Sequence, residues 1–212
     1  MGRTRADYER ILQNPKTRAL LNTISYAEGT SGPDGYRTMF GGGTFDDLSR
    51  HPDRVIDGGR YRSAAAGRYQ FMPDTYQEVS NQLGLSDFQP RSQDVAALAL
   101  IDRRGALDPF LGGEKFGKVM NLLAPEWASL PTNEGASYYG QPVKGIGDLY
   151  QYYQSQSGAL DAPTGTVAAP TSGVTQVFIK GDDAPKKEKA SSLLDVFKEQ
   201  LMQQFLPNIL PF

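Results

Sequence analysis

The chain has 212 residues, 39% hydrophobic and 22% charged, with a formal net charge of −2. These are the proportions of an ordinary soluble domain with extra sequence, and the charge balance implies no long-range attraction to nucleic acid or anionic membrane. With no cysteine and a single histidine, His51, disulfide and thiolate chemistry are excluded and a zinc site lacks its ligands, so no metal or cofactor is expected.

The opening MGRTRADYER is basic and polar, without the apolar core of a secretion signal. No stretch approaches the about 18 apolar residues of a membrane span. A short helix is predicted over residues 4–13, with Tyr8, Ile11 and Leu12 as its apolar side. Asn14-Pro15 marks the next start, because asparagine accepts at the N-cap and proline is pre-set for the first helical position. Ala19, Leu20, Thr23, Ile24 and Ala27 share one helical face, and Gly29 supplies the left-handed stop. Glu28 then sits at the negative pole of the helix dipole, where an ionised carboxylate is disfavoured. Partly desolvated, such an acid keeps its proton near neutral pH, as a general acid for glycosidic cleavage must. The same segment also fits a surface glutamate beside a helix cap.

Residues 29–71 are rich in glycine and aromatics, with Gly41-Gly42-Gly43 and Gly58-Gly59. They read as loops and short strands, Arg68-Tyr69-Gln70-Phe71 being one candidate strand. His51, in Ser49-Arg50-His51-Pro52, reads as structural or surface. A helix is predicted from Pro73 to Leu83, stopped by Gly84. Another runs from Ser92, as cap, to Arg104, with Gly105 ending it. Its nearly all-round apolarity marks a central buried helix. Further helices are predicted over about 114–123 and through Ile146, Leu149, Tyr150 and Tyr153. The fold class is α+β, mostly helical with a small β or loop lobe.

Composition changes after residue 158. Residues 159–190 read as a flexible linker of small residues, proline and glycine, ending in a charged stretch. In residues 191–212, Leu194, Phe197, Leu201 and Phe205 form an amphipathic stripe. This segment either docks on a partner, as helices do in grooves, or folds back on residues 1–158. Asp195 and Glu199 on the helix make a membrane-surface role less fitting.

In order, the chain carries Tyr26-Ala27-Glu28-Gly29-Thr30, Gly35-Tyr36, Gly42-Gly43, Phe45-Asp46-Asp47-Leu48-Ser49-Arg50-His51-Pro52 and Ala66-Gly67-Arg68-Tyr69-Gln70. Gln82 to Phe88, Pro90 to Asp94, Arg104 to Leu107, Trp127 to Pro131 and Tyr139-Gly140-Gln141 follow. Over about residues 17–155 this resembles the lambda-type phage endolysin family, lytic transglycosylases with a lysozyme-like fold. The resemblance implies that the substrate is the peptidoglycan glycan strand and that cleavage falls between N-acetylmuramic acid and N-acetylglucosamine. It also implies that Glu28 is the catalytic acid and base, and that the product carries a 1,6-anhydro end. Such a scheme needs one carboxyl group, whereas a standard glycosidase needs two. Where some relatives carry an aspartate after the Gly-Tyr pair, this chain has Arg37. Asp34, Asp46 and Asp47 are the nearest alternatives, and a hydrolytic muramidase using one of them stays open.

Candidate substrate-binding residues are Tyr36, Arg68, Tyr69, Gln70, Tyr139 and Gln141. The two tyrosines Tyr36 and Tyr69 either stack on sugars or pack the lobe. Arg68 either binds a substrate carboxylate or forms a buttressing ion pair. Tyr139 matches the family's cleft tyrosine, with Tyr138 one register away. Trp127 reads as core. The appended tail points to a phage structural protein as partner, and so to a virion-associated enzyme acting on host periplasmic peptidoglycan. The alternatives are a free endolysin in the host cytoplasm before lysis and a catalytically silent virion protein.

Overall fold

A computed structural model describes residues 2–57, 62–136, 138 and 143–158. The linker and docking segment expected over 159–190 and 191–212 lie outside the described residues, as do Tyr139 and Gln141.

Seven α-helices are present among the described residues: α1 Arg5–Ile11, α2 Pro15–Ala27, α3 Pro73–Leu83, α4 Pro90–Arg103, α5 Leu107–Leu111, α6 Phe116–Leu123 and α7 Ile146–Gly158. Between α2 and α3 lies the small lobe. It holds a 3-10 turn at Gly35–Arg37 and an antiparallel pair, β1 Ile56–Asp57 with β2 Arg62–Ser63. A second hairpin-like stretch is closed by the bridge between Thr38 and Thr44.

Local chemistry explains the helix limits. Thr4 and Asp7 form a reciprocal capping box at the start of α1. The Asn14 side chain accepts from the Lys16 N–H, and Pro15 occupies the first helical position. Gly84, at φ 65°, ends α3 as expected. Helix α4 starts three residues earlier than a cap at Ser92 would place it. Pro90 is pre-set for the first turn and Gln89 becomes the N-cap, while Ser92 bonds Asp87 at 2.6 Å instead of capping. Helix α5 was not expected, since five residues are too few to show a period.

Helix α4 is the centre of the molecule. Every residue from Val95 to Ile101 is buried, and α1, α3 and α5 pack against it. Burying each such leucine, isoleucine or valine contributes about 1.5–3 kcal/mol. Helix α7 packs on α2, where Tyr26 stacks on Tyr152 at 4.1 Å and Asn22 donates to Gln156 at 3.0 Å. Only Leu149 of the α7 stripe is fully buried; Ile146 and Tyr150 face out at 39% and 43% exposure.

An aromatic cluster joins the lobe to the bundle. Phe71, Tyr76 and Phe88 meet edge-on, Tyr76 and Phe88 with centroids 4.5 Å apart. His51 packs against Phe88 at 4.9 Å. Its Nδ1 accepts from the Asp53 N–H, so Nε2 carries the proton donated to the Phe71 carbonyl. Burial lowers its pKa, and His51 is a neutral structural pin.

Candidate active site

Helix α2 ends in a Schellman motif. The Thr30 N–H bonds the Ser25 carbonyl, the Gly29 N–H bonds that of Tyr26, and Gly29 adopts φ 75°. Glu28 is the C-cap residue between them, held where the chain leaves the helix. It is 7% exposed, makes no ion pair among the described residues, and accepts one hydrogen bond, from Ser129 Oγ to Oε1 at 2.5 Å. Burial lifts its pKa from 4.5 to about 7, against a lowering by the Ser129 bond. Desolvation is therefore the main cause; the helix pole invoked from sequence only adds in the same direction.

Ser129 comes from the segment after α6. Trp127 and Leu130 flank it, 3% and 0% exposed, and Trp127 Nε1 donates to the Tyr69 carbonyl at 3.2 Å. Glu126 fastens the segment to the end of α4 through Arg104 at 2.8 Å and Arg103 at 3.4 Å. Trp127 is core, as the sequence reading had it.

The lobe reaches α2 through the turn at residues 67–70. This is not the expected strand. Gly67 and Gln70 take φ 80° and 48°, so the chain reverses between bridged Ala66 and Phe71. Thr30 Oγ1 donates to the Arg68 carbonyl at 2.5 Å, tying the turn to the Glu28 cap. Gln93, fully buried on α4, clamps three backbones. It accepts from the Arg68 N–H at 2.8 Å and donates to the Tyr36 and Phe88 carbonyls at 2.9 and 2.8 Å.

Three of the expected binding residues, Tyr36, Tyr69 and Arg68, gather around Asp94, the next residue on α4. Tyr36 and Tyr69 both donate to Asp94 Oδ1, at 2.9 and 2.7 Å. Burial raises the Asp94 pKa, opposed by both hydroxyls and by nearby Arg68 and Arg18. Tyr69 is 2% exposed and edge-on to Phe71, so of its two expected roles it fills the packing one; an enclosed ring offers no face to a sugar. Tyr36 is half-buried, with the Arg68 guanidinium 5.0 Å over its ring. Arg68 makes no ion pair among the described residues and instead donates to Asn22 Oδ1 at 3.1 Å. The Gln70 amide nitrogen is spent on the Thr38 and Gly67 carbonyls.

The alternative carboxylates are engaged elsewhere. Arg37 pairs with Asp46 at 2.8 Å and with Asp34 at 3.1 Å, and Asp47 accepts from the Ser49 N–H at 2.8 Å. Among the described residues no cluster of three or more histidines and carboxylates stands ready for a metal ion, and no helix is long and apolar enough to cross a membrane. Ser129, Gln93, Asn22 and Asp94 had no role assigned from sequence. Ser129, Gln93 and Asp94 lie inside the motifs quoted above, which was the available signal.

A mostly helical α+β body with a small β-lobe and one buried acid at a helix end defines a lysozyme-like protein. The Endolysin family model matches residues 18–160. The endolysin of Escherichia phage lambda is 36% identical over 132 residues, covering 59% of this chain and 81% of the relative. That of Escherichia phage P2 is 32% identical over 156 residues, covering 66% and 92%. The structure of bacteriophage lambda lysozyme complexed with a chitohexasaccharide superposes with a TM-score of 0.61 at 31% identity, over 68% of this chain and 94% of that one. The chain belongs to the endolysin family.

Proposed function

We propose that this chain is a phage peptidoglycan lytic transglycosylase in which Glu28 alone serves as acid and base. Family membership carries the coarser part, a lysozyme-like enzyme that degrades peptidoglycan. Glu28 protonates the glycosidic oxygen as its bond to C1 of N-acetylmuramic acid breaks, and the N-acetylglucosamine side leaves as an alcohol. The resulting carboxylate takes the proton of the muramoyl 6-hydroxyl while that oxygen bonds C1. A 1,6-anhydro ring closes, Glu28 regains its proton, and no water is consumed.

The observation that carries this reading is the buried Glu28 carboxyl with a pKa of about 7, which makes both protonation states accessible near neutral pH. The pairing of Asp34 and Asp46 with Arg37 and the bond from Ser49 to Asp47 support a scheme without a second acid. The chitohexasaccharide in the lambda lysozyme complex supports a glycan substrate. Mass spectrometry of muropeptides released in heavy-oxygen water tests it. Anhydro ends without label are expected; labelled reducing ends would establish a hydrolase.

We further propose that the enzyme is virion-associated through residues 191–212. The family match stops at residue 160, where composition turns to linker, and an amphipathic stripe follows. Tethering of this kind raises the local concentration of enzyme at the wall. Deleting residues 160–212 should spare cleavage of isolated walls and abolish co-sedimentation with particles. Undiminished absence of the full chain from purified particles would favour a free endolysin.

A further inference from the structure

We infer that Ser129 is a positioning residue of the reaction: its hydroxyl grips Glu28 by Oε1 and leaves Oε2 as the oxygen that delivers and reclaims the proton. The inference rests on Glu28 being the acid. A carboxyl group is nearly symmetric about its last torsion, which is broad and two-fold. Left alone in an apolar setting, it would offer its proton from either oxygen. Here one oxygen is taken. Ser129 Oγ lies 2.5 Å from Oε1, and no other hydrogen bond reaches the Glu28 side chain among the described residues. An oxygen that accepts a hydrogen bond is the carbonyl-like one, so the acid proton belongs on Oε2.

The grip itself is firm. Ser129 and Glu28 are each 7% exposed, and the bond spans 101 positions of sequence. Ser129 sits in a tight turn closed by the Leu130 N–H on the Trp127 carbonyl at 2.9 Å, with Trp127 and Leu130 sunk in the core on either side. When Oε2 has given up its proton, the same donor stabilises the carboxylate and prevents it from rotating. The group that must next deprotonate the 6-hydroxyl is then still aimed at the substrate. A methyl group at this position would fill nearly the same space while giving up the grip.

Three enzymes decide it: parent, Ser129→Ala and Ser129→Thr, assayed on purified walls from pH 5 to 9. Ser129→Ala is expected to lower kcat about tenfold with KM within about twofold, an orientation loss made in the transition state. Its alkaline limb should move up by about one pH unit, because ionised Glu28 loses its only donor among the described residues. Ser129→Thr should restore both. A limb and kcat unchanged in Ser129→Ala would overturn the inference, as would a fall in kcat with an unmoved limb, which is what looser packing alone gives. If threonine does not fit, carbon-13 titration of the Glu28 carboxyl in parent and Ser129→Ala reads the same shift without turnover, and identical curves would overturn it. An active Glu28→Gln enzyme would remove the reading of Glu28 itself; an unmoved limb in Ser129→Ala removes only the role of Ser129.

Discussion

Replacing Glu28 by glutamine is expected to stabilise the domain at alkaline pH. Glu28 is 7% exposed, and burial raises its pKa from 4.5 to about 7. Between those values the native state holds the proton more tightly than the unfolded chain does. Stability therefore falls as pH rises through this window, and the loss is complete above the native value. A gap of about two and a half pH units, at about 1.36 kcal/mol each, makes the ionised side chain a penalty of about 3 kcal/mol at pH 8. Glutamine matches the side chain in size, carries no charge and keeps an oxygen for the Ser129 hydroxyl. Glu28→Gln should equal the parent at pH 4 and exceed it by about 3 kcal/mol at pH 8, about 6–12 °C in Tm for a domain of this size. Urea unfolding followed by circular dichroism at pH 4, 6 and 8 measures the difference. A gap that is constant across pH, or widest at pH 4, would refute the linkage.

The same ionisation sets the alkaline limb of kcat/KM in the parent, expected near pH 7 and read from initial rates. Gly67→Ala should cost about 3 kcal/mol by thermal unfolding, because a Cβ there would lie 2.3 Å from Gln93 Oε1 at a φ of 80°; a loss under about 1 kcal/mol would contradict that close approach. Gln93→Ala strips partners from the Arg68 N–H and the Tyr36 and Phe88 carbonyls. It should cost about 3 kcal/mol and speed hydrogen exchange at the Arg68 amide. Arg37→Ala breaks two exposed ion pairs and should change stability by less than about 1 kcal/mol. It should also leave anhydro products dominant; a switch to reducing ends would make the freed aspartates part of the chemistry.

What could be read from sequence was whatever is decided locally. Asn14-Pro15 and Gly29 bound α2, and Pro73 and Gly84 bound α3, because caps, prolines and left-handed glycines act within a few residues. Reading Ser92 as a cap failed on the same terms, since Pro90 starts α4 earlier. The supposed strand at Arg68 to Phe71 failed because nothing in the sequence marks Gln70 for φ 48°; that value is imposed by bonds to Thr38 and Gly67. Glu28 was found by its place at a helix end, yet its pKa is governed by burial, a property of the whole fold. Ser129 reaches Glu28 across 101 positions, and Gln93 reaches Arg68 and Tyr36 across 25 and 57, distances over which local periodicity carries no signal and only the motifs around them stand out. Tyr69 was legible as an aromatic that either stacks on a sugar or packs the lobe, and the choice between the two depends on burial by the whole fold.

Digestion of purified bacterial walls by equal amounts of folded parent and Glu28→Gln enzyme, followed by counting released muropeptides, tests the central claim most directly. The parent should release them, and the variant should be slower by at least about a hundredfold, the contribution of one positioned acid–base group. A folded variant working at the parental rate would contradict the account.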